Sequence, residues 1–129
     1  MTHLYLDASA LAKLVIFERE TPELRTTVRD RSIATSHIAV VEVTKAAARA
    51  GSEADPSQVL ALVTLLAFDT RVAALAATTG GPSLRSLDAI HIASAVLLGP
   101  DLESFITYDT RQAEAARAAG LRVIAPGAA

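Results

Sequence analysis

Four short runs of β-branched and other apolar residues recur along the chain, and alanine-rich segments with helical spacing lie between them. The runs cover residues 4–6, 32–35, 104–107 and 122–125. Each run is too short for a helix and fits a buried strand. Strands that alternate with helices pair in parallel, because each helical crossover returns the chain to the same end of the sheet. The alternation therefore predicts an α/β fold with helices on both faces of a parallel sheet.

Capping and helix-breaking residues set the expected limits of the helices. Pro22 suits the first position of one helix, Ser36 suits the cap of another, and Gly51 suits its end. Asp55 and Pro56 mark the start of a further helix, and glycine and proline flank a later one. The helices expected from these signals cover residues 9–17, 22–29, 36–49, a segment from 55 onward, and 87–98.

Composition excludes several classes of function. Of 129 residues, 51% are apolar and 20% are charged, which predicts one folded domain without a membrane-spanning helix. There is no cysteine, so thiolate zinc sites, thiol redox chemistry and a cysteine nucleophile are excluded. Asp7 interrupts the first apolar stretch before a signal peptide can form, so we expect a cytoplasmic protein. The formal charge of −2 argues against a broad basic surface for nucleic acid.

One segment of the chain occurs twice in similar form. Residues 68–80 and 108–120 share six of 13 positions, including Asp-Thr-Arg near the start and glycine at the end. The pattern is typical of a strand-to-helix turn in which Asp or Thr caps the helix and Gly ends it. A special role for Asp109 therefore needs support beyond this repeat.

Four of the 14 acidic residues occupy unusual positions, and two of them follow strands. Asp7 comes directly after the strand at 4–6, and Asp109 follows the one at 104–107. Ligand chemistry in parallel α/β sheets gathers at the carboxyl ends of the strands. Either residue also suits the N-cap of the next helix, so a capping role stays open for both.

The other two acidic residues lie on expected helices. Glu42 leaves its helix from a mostly apolar surface, where an unpaired charge is costly. An ion pair with Lys45, three residues on, is the alternative. Asp88 lies in the first turn of its helix, where the helix dipole favours an anion. His91 shares the face of Asp88 and is a candidate partner for it.

Together the four carboxylates predict a metal site at one edge of the sheet. Carboxylates at close range repel one another unless cations lie among them. Oxygen ligands without His or Cys suit Mg2+ or Mn2+. Because each divalent ion adds two positive charges, one ion would bring the formal charge of −2 to 0 and two would bring it to +2.

Four motifs match one known family in order and spacing: Tyr5-Leu6-Asp7-Ala8-Ser9-Ala10-Leu11, Ser36 to Val43, Ser86-Leu87-Asp88-Ala89-Ile90-His91-Ile92-Ala93, and Phe105-Ile106-Thr107-Tyr108-Asp109. The chain resembles the PIN-domain ribonucleases and, among them, the VapC toxins of bacterial type II toxin–antitoxin pairs. The resemblance extends over essentially the whole chain. It implies a single PIN-like domain over residues 1–129, a three-layer α/β/α sandwich with a short, mainly parallel five-stranded sheet, and assembly as a homodimer.

The resemblance also assigns roles to particular residues. The family's acidic quartet, which serves as catalytic residues and metal ligands, falls on Asp7, Glu42, Asp88 and Asp109. Ser9 and Thr107 match auxiliary polar positions, whereas Asp69 of the repeat matches no catalytic acid. Many relatives have a further acid where this chain has His91 or Ile92.

The implied activity is a Mg2+- or Mn2+-dependent endoribonuclease that cleaves tRNA or rRNA. In this interpretation Asp7 and Asp109 ligate the metal, Asp88 adds a ligand or holds a water, and Glu42 orients or deprotonates the attacking water. The implied partner is a VapB-type antitoxin lying in a groove between the amino-terminal helices. Leu11, Leu14 and Val15 suit either a wall of that groove or the core.

Two other functions stay open. One is a phosphotransfer domain with Asp7 as nucleophile, such as a haloacid-dehalogenase-like phosphatase or a response-regulator receiver. Ser9 stands where the phosphatase needs a second acid, and Lys13 and Lys45 come too early for a receiver's lysine. The other is a non-catalytic interaction module in which the acids only cap helices and bind no Mg2+.

Overall fold

The structure, a computed structural model describing all 129 residues, is a five-stranded parallel sheet with helices on both faces, which confirms the predicted fold class. The strands are β1 (His3–Leu6), β2 (Ile33–Ser36), β3 (Thr64–Leu66), β4 (Leu102–Ile106) and β5 (Val123–Ile124). They lie in the order β3-β2-β1-β4-β5, and every neighbouring pair is parallel. β1 is therefore the central strand.

Seven α-helices connect the strands: α1 (Ala8–Val15), α2 (Thr21–Val28), α3 (Ala39–Arg49), α4 (Pro56–Leu60), α5 (Thr70–Ala76), α6 (Ser86–Leu97) and α7 (Thr110–Ala118). A short 3-10 turn at Gly99–Asp101 precedes β4. None of the helices combines the length and the apolar character needed to cross a membrane.

The core has two parts, one on each face of the sheet. Leu4 and Leu6 of β1 pack with α1 and α3, whereas Tyr5 between them packs with α6 and α7 on the opposite face. This alternation follows from the two-residue period of a strand. Leu11 and Val15 of α1 belong to the first part, so they are core and not a groove wall.

Only one residue of the predicted groove wall lines a surface depression. Leu14 is half-buried and contributes to an open cleft of ≈ 550 Å³ between α1, α2 and α4. Val28 and Val59 line the same cleft. Leu11 and Val15 face the core and Leu14 faces the cleft, because α1 packs against β1 on one side and lies close to α2 and α4 on the other.

Two local predictions were wrong. Ser36 is the last residue of β2, and its hydroxyl accepts the N–H of Ile38 at 3.3 Å in a turn before α3, so it does not cap that helix. No strand was read from the residues at β3, although the resemblance implied five strands. β3 has three residues with only half-buried or exposed side chains, and it lies inside a longer apolar stretch, residues 59–68, in which nothing marks where a strand begins or ends.

Both copies of the sequence repeat are strand-to-helix turns, as predicted. Asp69 caps α5 after β3, and Asp109 caps α7 after β4. Gly120 ends the second copy with φ +89°, which a glycine adopts without strain. The two turns differ in location, because β3 is an edge strand and β4 is a neighbour of the central strand.

Candidate active site

The carboxyl ends of β1 and β4 lie side by side at the centre of the sheet. The pairing register sets Leu6 opposite Ile106, so Asp7 and Thr107 follow at the same level. The strand order reverses here, because the chain leaves β1 towards β2 on one side while β4 occupies the other. Ligands of open α/β sheets bind at such a switch point.

Asp7 is buried at this edge, with 4% of its surface exposed. Its Oδ1 accepts the hydroxyl of Ser9 at 2.6 Å and the N–H of Ala10 at 3.0 Å, and its Oδ2 accepts the hydroxyl of Thr107 at 2.5 Å. Burial raises the pKa of Asp7, and the hydrogen bonds from Ser9 and Thr107 oppose that rise. Asp7 thus caps α1, as one interpretation held, and also faces the predicted site.

The chain segment after β4 orients the two hydroxyls that hold Asp7. The N–H of Tyr108 donates to Ser9 Oγ at 3.0 Å, and the N–H of Asp109 donates to Thr107 Oγ1 at 3.1 Å. Because these hydroxyl oxygens accept backbone hydrogens, their own protons are free to point at the carboxylate. Ser9 and Thr107 therefore lie beside Asp7, at the place expected for the auxiliary polar residues.

Asp88 shares an electrostatic environment with two other acids of the quartet. It is half-buried in the first turn of α6, and its pKa is raised, first by burial and then by the negative charges of Asp109 and Asp7. The positive charge of Arg85 opposes this rise. The fold thus brings Asp7, Asp88 and Asp109 from three separate elements to one edge of the sheet.

Asp109 uses one carboxylate oxygen to cap α7. Its Oδ1 accepts the N–H groups of Arg111 at 2.9 Å and Gln112 at 3.1 Å. The capping interpretation is therefore correct for Asp109 as well. These bonds engage Oδ1 alone, so capping does not occupy Oδ2.

Glu42 lies on α3, and its partner is His91. The structure therefore contains neither of the two pairs that the sequence suggested, Glu42–Lys45 and Asp88–His91. Oε1 of Glu42 lies 2.7 Å from Nε2 of His91, and no ion pair joins it to the exposed Lys45. His91 in turn bonds to Glu42 and Tyr5, not to Asp88. Spacing within one helix suggested the pairs Glu42–Lys45 and Asp88–His91, but the tertiary fold brings the buried His91 of α6 to Glu42 instead.

Tyr5 bonds to His91, the partner of Glu42, a contact that the sequence analysis did not predict. Its hydroxyl accepts the N–H of Ser36 at 3.0 Å and contacts Nδ1 of His91 at 2.7 Å. Burial raises the pKa of Tyr5 well above its usual range. The only sign of this contact in the sequence is a tyrosine, with its polar hydroxyl, between two leucines of β1. Nothing in the sequence indicates that its partner is a histidine 86 residues away.

Basic side chains flank the acidic edge on two sides. An open cleft of ≈ 880 Å³ between α5, α6 and α7 is lined by Asp88 together with Arg85 and Arg111. A second cleft of ≈ 440 Å³ is lined by Glu42 and Ser9, with Lys45 and Arg49. Positive charge thus lies close to the acids, although the chain as a whole is slightly acidic.

The carboxylates fit a hard divalent cation by their chemistry. No three His, Asp or Glu side chains lie close enough in this structure to form a metal-binding group as they stand. The available donors are carboxylate oxygens, the ligands that Mg2+ and Mn2+ prefer. The like charges that raise the pKa of Asp88 are the repulsion that a cation among them would relieve.

The chain matches the family model described as PIN domain over residues 4–118. It is 42% identical over 129 residues to "Ribonuclease VapC46" of Mycobacterium tuberculosis, with 98% of this chain and 99% of that protein covered. The chain therefore belongs to the PIN-domain family and, within it, to the VapC ribonucleases. The recognition made from the four motifs is confirmed, and the match favours a nuclease over a phosphotransfer domain.

Two solved structures share the fold. The crystal structure of M. tuberculosis VapC20, described as a sarcin-ricin loop cleaving toxin, superposes with a TM-score of 0.74 and 15% identity, covering 95% of this chain and 99% of that one. A toxin–antitoxin complex from Klebsiella pneumoniae gives a TM-score of 0.66 and 22% identity, covering 84% of this chain and 88% of the other. At these identities the likeness concerns the fold alone.

Proposed function

We propose that the chain is a Mg2+- or Mn2+-dependent endoribonuclease that acts as the toxin of a VapBC-type pair, with residues 1–129 working as one domain. The observation that carries the proposal is that Asp7 and Asp109 follow the neighbouring strands β1 and β4, with Asp88 near enough for their charges to raise its pKa. The 42% identity to a VapC ribonuclease supports RNA as the substrate.

Each acidic residue has a distinct part in this proposal. Asp7, Asp88 and Asp109 would hold the cation, and Ser9 and Thr107 keep the Asp7 carboxylate in one orientation. A bound divalent ion would lower the pKa of water and offset the charge that develops on the scissile phosphate. Glu42 would orient the attacking water or take its proton through Oε2, since His91 occupies only Oε1.

The basic side chains suit contacts with the RNA backbone. Arg85 and Arg111 line the cleft on one side of the acids, and Lys45 and Arg49 line the cleft on the other. Phosphate contacts of this kind position a nucleic acid without reading its sequence. We propose a structured RNA, tRNA or rRNA, as the target, a choice that the sarcin-ricin loop named for VapC20 supports.

The proposal includes a VapB-type antitoxin as partner and a homodimer as the assembly. Structural likeness to a chain of a toxin–antitoxin complex supports the first of these. Co-expression with a neighbouring small reading frame, followed by copurification and sedimentation analysis, tests both. A chain that purifies alone and sediments as a monomer contradicts them.

Cleavage assays on amide variants test the proposed activity. Asp7→Asn keeps an acceptor for the cap but removes the charge, so we expect RNA cleavage in Mg2+ to fall by roughly 100-fold or more, a loss typical of a group that stabilises the transition state. EDTA should stop cleavage by the wild-type protein. The matched control is Asp69→Asn, an exposed cap in the other copy of the repeat, which should cleave like wild type. Full activity of a folded Asp7→Asn variant would falsify the proposal.

A further inference from the structure

A chain of three side chains connects the core to Glu42, and the mechanism above does not use its inner two members. We propose that His91 is a positioning residue that fixes the Glu42 carboxylate, and that Tyr5 sets the tautomer of His91. The inference rests on the proposed function, because it assumes that Glu42 acts on the attacking water.

The geometry of the three side chains is tight and almost free of solvent. Tyr5 is fully buried, and only 2% of the His91 side chain is exposed, against 22% for Glu42. Tyr5 Oη lies 2.7 Å from His91 Nδ1, and His91 Nε2 lies 2.7 Å from Glu42 Oε1. The Tyr5 and His91 rings meet edge to face at 78°, and Phe105 stacks on the other side of Tyr5. The inner end of the chain therefore has little freedom to move.

The direction of the hydrogen bonds follows from their partners. The N–H of Ser36 donates to Tyr5 Oη, and a tyrosine hydroxyl carries its proton at neutral pH. That proton is available to Nδ1 of His91, and in the proposed arrangement Nδ1 is the bare nitrogen that accepts it. At the other end an ionised carboxylate only accepts, so Nε2 of His91 carries the hydrogen and donates to Glu42. Both contacts fit the same proposed tautomer of His91, with the hydrogen on Nε2 and a bare Nδ1.

This arrangement holds one oxygen of Glu42 and leaves the other available. Glutamate has three rotatable side-chain bonds, and holding it in one conformation costs entropy that a fixed donor offsets. His91 binds Oε1, and no protein group donates a hydrogen bond to Oε2. Oε2 is therefore presented from a fixed position at the open end of the chain. A histidine that served only to fill space would need neither partner.

The test compares two replacements of His91. His91→Gln keeps an amide N–H that reaches about as far as Nε2, whereas His91→Leu fills the space without a donor. We expect His91→Leu to lower kcat for RNA cleavage roughly 10–100-fold, the usual cost of losing such a supporting hydrogen bond, with KM unchanged. His91→Gln should keep most of the kcat. His3→Leu is the matched control, because His3 bonds to Ser32 at the opposite end of β1.

A second variant guards against misfolding. His91→Leu leaves the Tyr5 hydroxyl without its acceptor, so the double variant Tyr5→Phe/His91→Leu removes both groups together. Circular dichroism and thermal unfolding verify the fold, and the double variant should show the same loss in kcat. Wild-type kcat in a folded His91→Leu or double variant overturns the positioning role, as does an equal loss in His91→Gln.

A spectroscopic measurement examines the arrangement without RNA or metal. ¹⁵N NMR of the His91 ring in EDTA should show a protonated Nε2 and a bare Nδ1, and Tyr5→Phe should alter the Nδ1 signal. A protonated Nδ1 overturns the inference, whatever the activity. Wild-type protein that does not cleave RNA, or Glu42→Gln with full kcat, overturns the proposed function and the positioning role with it. An inactive Glu42→Gln beside a fully active His91→Leu overturns the positioning role alone.

Discussion

Asp7 is the most buried acid of the quartet and also the one with the most hydrogen bonds, as expected of a polar group inside a protein. Three hydrogen bonds to its carboxylate favour the charged form, but burial outweighs them and raises the pKa. A buried charge of this kind opposes folding when no cation is present. Side chains that serve a site at the expense of stability are common in enzymes.

The raised pKa values of Asp7 and Asp88 predict how stability changes with pH in EDTA. Above the ordinary value of 3.8 the folded protein binds more protons at these groups than the unfolded chain does. Their contribution to the free energy of unfolding therefore falls as pH rises through the raised values. Asp7→Asn should flatten this dependence and raise Tm at neutral pH by about 3 °C or more.

Calorimetric scans in EDTA across the pH range measure both Tm and its dependence on pH. Asp69→Asn is the control, because Asp69 is exposed and should leave the slope of the wild-type curve unchanged. An Asp7→Asn variant with the wild-type slope, or with a lower Tm throughout, would contradict this account of Asp7.

At the scale of the element, the same local structure occurs at two places in the sheet. Asp69 and Asp109 each cap a helix after a strand, within segments that share six of 13 residues. The two caps differ in the position of the strand that precedes them. β3 is at the edge of the sheet, whereas β4 lies beside the central strand β1. Helix capping and metal binding are compatible, since Asp109 caps with Oδ1 and leaves Oδ2 available.

Substitutions at the two caps should separate stability from activity. Asparagine is as good an N-cap as aspartate, so Asp109→Asn should unfold like wild type but lose RNA cleavage. Asp109→Ala should lose cleavage and also about 1 kcal/mol of stability. At the other cap, Asp69→Ala should lose a similar amount of stability and keep full cleavage. Denaturant unfolding and cleavage assays on all three single variants test this, and an active Asp109→Asn would remove Asp109 from the site.

At the scale of the whole molecule, the sheet order concentrates acidic residues on one edge. The carboxyl ends of β1 and β4 carry Asp7 and Asp109, α6 brings Asp88 within range of their charges, and Glu42 of α3 lines a cleft with Ser9. Carboxylates in such a cluster repel one another, and a cation bound among them would reduce that repulsion. The formal charge of −2 therefore includes acids that we expect to be neutralised locally.

Binding of Mg2+ should consequently stabilise the folded protein. A ligand at 100 times its Kd adds about 2.7 kcal/mol to the free energy of unfolding. We expect Tm of the wild-type protein to rise steadily with Mg2+ concentration, and Asp7→Asn to show little of this rise. NaCl of matched ionic strength is the control for general screening. Equal shifts in both proteins would favour the non-catalytic module, whose acids only cap helices.

The sequence by itself determined the layers, the parallel sheet and the four acids, because these depend on local features. Residue periodicity, capping signals and the spacing of four motifs are properties of neighbouring residues, and all are visible before folding. The same features led to the family, which the comparisons confirmed. The assignment of the four acids to catalysis and metal binding stays a prediction for the variants above to test.

Only the tertiary structure decided which side chains meet. Glu42 pairs with His91, 49 residues away, and not with Lys45, although α3 and α6 pack on opposite faces of the sheet. Leu11 and Val15 became core because the apolar face of α1 packs on the sheet. Long-range contacts of this kind depend on how elements pack, and spacing along one helix carries no information about a second one.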